Sequence, residues 1–347
     1  MAQLDNATPF AATLMPSCDR NGQDLLLLVV TAHFDLPEPG SHTPSLQLSV
    51  DQPPASMADT YTGEPGRSSL RDEGQAAYTR EATDIYLRGH AIAPQGQAVR
   101  HMTLTLRAGP CKLAVLVHGD RVWERVYGLG ATPSQARPFV RMPLVWERAY
   151  GGAAVASSER QPAYEARNPV GCGFETDPSA AVDRPLPNLE DPADPITRLS
   201  QRPRPAGIGP IARHWQPRAA HAGTYDDAWQ RHRAPLWPDD FNPAFFNAAP
   251  PPLQARPHLK GGEPVMLDGF HASGPIQLHL PKIRLQSCHQ FAGLPDQRAV
   301  PVLDGVQLDT DAMRLTLYYR ATLAAPLRLA RHRGSLVRLQ QPWEARQ

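Results

Sequence analysis

The stretch DLLLLVVTAHFDL, residues 24–36, is the part of the sequence that points most directly to the fold. It follows the turn signal DRNG and ends at PEPG. A short run rich in Leu and Val between two turn signals is typical of a buried β-strand. We therefore predict a buried strand over residues 24–36.

The sequence outside this stretch shows the same character in its first and last parts. In residues 99–109, the apolar Met102, Leu104 and Leu106 alternate with polar residues, which is the period of a strand with one apolar face. Similar patterns predict further strands over residues 83–94, 111–124, 141–152, 263–270, 274–287, 299–310 and 312–323.

Proline is the unusual component of this chain of 347 residues, which contains 38 prolines. Proline interrupts helix interiors and cannot donate to a sheet ladder, so a helical bundle is excluded and strands should be short. We predict a mostly β fold: antiparallel sheets in a sandwich-like arrangement, long ordered Pro-rich loops and a few short helices. One β-rich unit should cover residues 1–340, with strand-rich parts at 1–152 and 259–340, a Pro- and aromatic-rich loop region at 153–258, and a tail at 341–347.

Residues 162–264 contain 19 of the 38 prolines and no long periodic segment. They also contain Trp and Phe residues, which disordered linkers lack, so we expect ordered loops wrapped over the sheets. Capping side chains predict short helices after Asp194-Pro195, after Asn242-Pro243, and from Asp226 or Asp227.

Composition excludes several classes of partner and site. The formal net charge is +1, which gives no electrostatic reason to bind nucleic acid or an anionic membrane. The four cysteines lie far apart without C-x-x-C spacing, so we expect reduced, mostly buried thiols. No secretion signal or membrane-spanning run is evident in the sequence, and we expect a cytoplasmic protein.

The common catalytic signatures are missing from the sequence. It contains no G-x-S-x-G, H-E-x-x-H or P-loop pattern. The stretches GLGATP (128–133) and GIGPIA (207–212) lack the third glycine of a dinucleotide loop. We therefore predict no catalytic residue, no metal site and no cofactor.

Two adjacent acid pairs, at 226–227 and 239–240, offer the best argument for an enzyme. Asp227 and Asp239, with Trp229 and Trp237 as sugar platforms, could serve a carbohydrate-binding or glycoside-hydrolysing protein. The alternative is that Asp226, Asp227 and Asp239 cap short helices or form ion pairs. We favour the structural role and keep the carbohydrate hypothesis open.

Two further charged pairs are predicted to be structural. Asp120 and Arg121 lie in HGDRVWE (118–124), and Glu147 and Arg148 lie between two aromatic residues in MPLVWERAYGG. Arginine–carboxylate pairs against aromatic faces make rigid contacts and need no substrate.

The ordered set of motifs resembles a bacterial family of unknown function that is associated with type VI secretion and described as effector adaptors or chaperones. The matching stretches run in order over nearly the whole chain: NATPF (6–10), TDIYLRGHAIAP (83–94), HGDRVWE (118–124), PFVRMPLVWERAYGG (138–152), NPVGCGF (168–174), LPNLEDP (186–192), RPRPAGIGPIARHWQPRAAHAGTYDDAW (202–229), PLWPDDFNPAFFNAAP (235–250), LKGGEPVML (259–267) and LDTDAMRLTLYYRA (308–321).

This resemblance implies a non-enzymatic adaptor that holds a secreted effector, often one with a PAAR-like tip domain, and aids its loading onto the spike protein. A scaffold that stays bound after loading is a further alternative. Aromatic residues are common hot spots at interfaces, and prolines lower the entropy cost of binding. We therefore predict a partner surface formed by Trp215, Tyr225, Trp229, Trp237, Phe241, Phe245 and Phe246.

Overall fold

Strands dominate the architecture. The structure is a computed structural model that describes residues 3–41, 45–126, 130–154, 162–177, 180–325 and 329–340. Strands account for 40% of the residues and helices for 8%, and most strand pairs are antiparallel, which confirms the predicted fold class. The predicted tail at 341–347 lies outside the described residues.

The strands, in chain order, are β1 (Gln3–Ala7), β2 (Ala11–Cys18), β3 (Asp24–Asp35), β4 (Gln47–Leu48), β5 (Thr60–Tyr61), β6 (Leu70–Asp72), β7 (Thr83–Arg88), β8 (His90–Ile92), β9 (His101–Ala108), β10 (Cys111–His118), β11 (Trp123–Val126), β12 (Gly130–Pro133), β13 (Arg141–Pro143), β14 (Tyr150–Gly151), β15 (Cys172–Gly173), β16 (Leu189–Glu190), β17 (Gln254–Ala255), β18 (Pro264–Asp268), β19 (Ile276–His279), β20 (Leu285–Phe291), β21 (Gln297–Ala299), β22 (Val302–Asp309), β23 (Arg314–Ala324) and β24 (His332–Leu339).

The helices are short. The described residues contain one α-helix, α1 (Asp227–His232), and 3-10 helices at Pro94–Gly96, Trp146–Arg148, Arg218–His221, Pro243–Phe246, Pro251–Leu253 and Leu329–Arg331. Two of the three capping predictions are confirmed, because Asp226 accepts from the Trp229 amide and Asn242 accepts from the Ala244 amide. The prediction for Asp194 is wrong: no helix follows it, and the Thr197 amide instead donates to the side chain of Gln201.

The main sheet joins the two strand-rich parts of the chain. Its strand order is β17-β7-β22-β23-β3-β2, and β4 pairs with the end of β3, at Phe34 and Asp35, on the same edge as β2. The predicted buried strand at residues 24–36 is β3, which pairs antiparallel with β23 and places Ala32 opposite Leu317. Only β7 and β22 run parallel in this sheet.

A second sheet packs against the main one. Its order is β16-β10-β9-β18-β19, and the hairpin between β9 and β10 turns at Gly109-Pro110. One hydrophobic cluster contains Leu104 and Leu106 from this sheet together with Val306 and Leu317 from the main sheet. The alternation predicted for residues 99–109 therefore marks the face that enters the shared core.

The remaining strands form smaller sheets. One has the order β1-β24-β20-β21, in which β1 and β24 run parallel. Two-stranded sheets pair β5 with β6, β8 with β13, β11 with β12, and β14 with β15. The cysteines are all free, but only Cys111 is buried, so the expectation of mostly buried thiols is wrong.

Several predicted strands are interrupted by Gly or Pro. The strand predicted over 83–94 breaks into β7 and β8 at Gly89, whose φ of 142° is a conformation that favours glycine. The strand predicted over 274–287 ends at β19, and Pro281 lies in the irregular link to β20. In 141–152, a 3-10 helix around Trp146 replaces the middle of the predicted strand.

Candidate partner-binding site

The aromatic side chains predicted to form a partner surface lie in three different places. Trp215 is fully buried in the main core and packs edge-on against Trp146, with ring centroids 5.8 Å apart. Tyr225 and Trp229 form an edge-to-face pair beside α1, with centroids 4.8 Å apart. Tyr225 is 56% exposed, whereas Trp229 is half-buried and its indole donates to the Leu236 carbonyl.

The other four aromatic residues form a compact cluster with Tyr78. Trp237 and Phe241 have ring centroids 4.3 Å apart, and Phe246 packs against both. Phe241 and Phe246 are buried, while Trp237 and Phe245 are half-buried. These side chains therefore act mainly as a small core that fastens the loops, and little of their surface faces solvent.

The acid pairs have local structural partners. Asp226 caps α1 through a 2.8 Å bond from the Trp229 amide, and the Asp227 carbonyl accepts from Arg231. The exposed Asp239 carboxylate lies 3.2 Å from Arg233. The ring of Trp229 packs against Tyr225, whereas the ring of Trp237 packs against Phe241, so the two tryptophans proposed as sugar platforms belong to different aromatic groups.

The charged residues at 120–121 and 147–148 do not pair with their sequence neighbours. Arg148 Nη1 donates to Asp120 Oδ1 at 3.0 Å, and Arg121 pairs with the buried Glu190. Glu147 accepts from the Ser69 amide at 2.7 Å. Burial tends to raise the pKa of Glu190, but the nearby His118, with Nε2 3.5 Å from the carboxylate, and the charge and hydrogen bond of Arg121 outweigh it and lower that pKa.

A buried ion pair fastens the loop region to the sheets. Arg218 Nη2 lies 2.7 Å from Glu73 Oε1, and the two side chains are 2% and 0% exposed. The same guanidinium donates to the carbonyls of Ile211, at 2.6 Å, and Phe245, at 2.8 Å. One arginine thus connects three separate segments of the chain.

A second buried network lies under the aromatic cluster, on the outer face of the main sheet. Arg320 on β23 pairs with Asp304 on β22 and donates to the carbonyls of Gln75 and Ala77. Burial by itself lowers the pKa of the neighbouring Arg80, but Tyr86, Asp304 and Asp84 outweigh it and raise that pKa. Arg80 therefore stays charged and holds its carboxylate partners in place.

These anchored loops leave an apolar groove at the surface, with a volume of about 590 Å³. Trp146, Leu113 and Ile211 contribute apolar side chains to it. Six prolines complete much of the lining: Pro192, Pro205, Pro217, Pro250, Pro251 and Pro252. We call this the proline groove.

The walls of the proline groove are fixed by hydrogen bonds to backbone carbonyls. The Ile211 amide donates to Ala248 at 2.7 Å, and the Gln216 amide donates to Ala166 at 2.9 Å. The Trp146 indole donates to the Pro210 carbonyl at 3.1 Å. Proline also restricts φ, so the groove is shaped before any ligand arrives.

Close packing at Gly207 sets the position of the Trp146 ring. A Cβ at Gly207 would lie 2.5 Å from that ring, closer than van der Waals contact allows. At Gly209 the nearest atom to a Cβ would be 3.6 Å away, which is an ordinary contact. The glycine of GIGPIA at 207 therefore serves packing against an indole.

The proline groove was not predictable from local sequence patterns. The density of prolines is visible in the sequence, but the groove forms only where residues 112–114, 146, 167, 191–193, 204–207, 211, 216–217 and 250–252 meet. Because these segments are far apart in the chain, their meeting depends on tertiary structure. The available signal was local: the stretches RPRPAG and AAPPP are rich in proline and therefore stiff.

No cluster of three or more His, Cys, Asp or Glu side chains suited to a metal ion occurs within the described ranges. A helix long and apolar enough to cross a membrane is also not found among those residues.

Comparison with known proteins gives one match. A family model described as an uncharacterized protein conserved in bacteria (DUF2169) matches residues 21–320. The comparisons with curated proteins and with solved structures each returned no match.

Proposed function

The chain belongs to the bacterial family of uncharacterized proteins DUF2169, and we propose that it acts as a non-enzymatic adaptor for a type VI secretion effector. In this role it binds the effector in the cytoplasm and aids its loading onto the secretion spike. The secretion link rests on the ordered motifs that resemble effector adaptors, and the binding role rests on the proline groove.

The main support for a binding role is that the proline groove is apolar and that hydrogen bonds and prolines make it rigid. A concave apolar site bound by rigid loops favours association, because little conformational entropy is lost when the partner docks. The groove walls come largely from stretches that carry the resemblance, namely VWER, LPNLEDP, RPRPAGIGPIARHWQP and NAAP. This coincidence supports a partner site at the groove.

Co-expression tests the proposal directly. The tagged chain is produced together with the effector encoded by a neighbouring gene, purified through the tag, and passed over a sizing column. We expect the effector to co-purify in a stable complex, while an effector from an unrelated gene cluster does not. Failure to retain any genetically adjacent effector would count against the adaptor role.

A further inference from the structure

We propose that the proline groove binds a segment of the partner protein in which a large apolar side chain is followed by an acidic side chain. This inference rests on the proposed function and deepens it, because it states the chemistry of the segment that docks.

The apolar half of the proposal follows from the lining. Trp146, Leu113 and the surrounding prolines offer an apolar surface, and burial of apolar area is the main favourable term in association. The groove volume of about 590 Å³ lies within the range of sites that enclose a ligand of several groups, ~300–1,000 Å³. A segment of a few residues with one or two large side chains fits this space.

The acidic half follows from the charges at the rim. Arg167 is held by Glu165 through two bonds of 2.7 and 2.6 Å, and Arg204 lies 3.0 Å from Asp191. Lys112, which is exposed and lines the groove, forms no ion pair with any other described residue. The rim therefore keeps one uncompensated positive charge beside an apolar floor.

A carboxylate on the partner would complement the positive charge of Lys112. An acidic side chain next to the apolar one can reach Lys112 while the apolar group occupies the floor. A basic side chain at that position would meet like charge, and such contacts are how interfaces reject wrong partners.

Short labelled peptides test the inference without knowledge of the natural segment. The probes carry Leu-Trp-Asp, Leu-Trp-Lys or Ala-Ala-Asp between Ser-Gly ends, and all are amidated so that no terminal carboxylate competes. We expect fluorescence polarisation to show that the Leu-Trp-Asp peptide binds and that the Leu-Trp-Lys peptide binds roughly fivefold more weakly. The Ala-Ala-Asp peptide should show no binding.

Two groove variants with matched controls locate the site. Lys112→Glu should reverse the preference between Leu-Trp-Asp and Leu-Trp-Lys, whereas Lys260→Glu, at an exposed lysine outside the groove, should keep it. Ala193→Trp, at an exposed alanine of the lining, should block both peptides, and Ala228→Trp on α1 should block neither. Thermal melts check that all four variants fold.

The inference is overturned if the folded wild-type protein binds none of the peptides, if Lys112→Glu keeps the original preference, or if Ala193→Trp binds as wild type. The same variants separate the two proposals. If a neighbouring effector co-purifies equally with Ala193→Trp and Lys112→Glu, the adaptor role stands and the groove assignment falls. If the peptide selectivity holds but no adjacent effector co-purifies, the adaptor role falls alone.

Discussion

Arg218 should be among the most costly arginines to remove, because its side chain is buried with Glu73. Among the described residues, Arg218→Ala leaves the fully buried Glu73 carboxylate with Arg213 alone as its ion-pair partner, at 3.3 Å, and removes a donor from the carbonyls of Ile211 and Phe245. Breaking one side of a buried ion pair costs about 3–5 kcal/mol, and orphaned acceptors add to that cost. We expect a loss of about 4 kcal/mol in the free energy of unfolding.

Arg213 supplies a matched control, since it contacts the same carboxylate from the surface. Its side chain is 40% exposed and lies 3.3 Å from both Asp59 and Glu73. Arg213 is partly solvated, and Glu73 keeps Arg218 as its partner when Arg213 is removed, so Arg213→Ala should cost at most about 1 kcal/mol. Urea denaturation followed by tryptophan fluorescence measures both values.

The comparison of these two variants tests whether the buried Arg218–Glu73 pair stabilises the fold. If Arg218→Ala and Arg213→Ala destabilise the protein equally, the loops do not depend on a buried anchor and the reasoning fails. If Arg218→Ala keeps wild-type stability but no longer binds the Leu-Trp-Asp peptide, the buried ion pair shapes the groove without stabilising the fold, and the reasoning fails as well.

Three further predictions follow from local geometry. Gly207→Ala should lower the free energy of unfolding by about 1–3 kcal/mol through overpacking, whereas Gly209→Ala, with an ordinary contact distance, should leave it nearly unchanged, as denaturant titrations would show. Asp226→Ala should cost about 1 kcal/mol by removing the cap of α1, while Asp227→Ala should cost less, and equal values in urea titrations would argue against the cap. Burial, with a smaller effect of a neighbouring histidine, lowers the pKa of His289 from 6.5 to about 4. The folded state therefore disfavours protonation of His289, so the stability that this residue contributes above pH 6.5 is lost as the pH falls towards 4. His289→Asn should reduce the dependence of the free energy of unfolding on pH over this range. An unchanged dependence in the variant would contradict the prediction.

The strands were predictable from the sequence where one apolar pattern ran without interruption. Residues 24–36 and 99–109 form β3 and β9 with the expected burial because Leu and Val alternate or cluster at the strand period. Boundaries failed where a single Gly or Pro changed the backbone, as at Gly89. The strands β2 and β24 were not predicted, since their polar and apolar residues give only a weak pattern.

The candidate site was less accessible to sequence reasoning. Local capping by Asp226 and Asn242 was predictable because the donor and acceptor lie within a few residues. The partners of Arg121, Arg148 and Arg218 were not, because each lies on a distant segment and many carboxylates could have served. The sequence also did not show which aromatic residues are buried and which are exposed. In irregular loops there is no periodic pattern from which burial can be read.

Hydrogen–deuterium exchange of the free protein and of its complex with a neighbouring effector tests the central claim most directly. In the free protein, the amides of Ile211 and Gln216 should exchange slowly, since both donate to backbone carbonyls of other segments. In the complex, residues 206–216 and 112–114 should gain protection, whereas residues 225–233 should not. Fast exchange over 206–216 in the free protein, or protection gained only at 225–233, would contradict a rigid groove as the partner site.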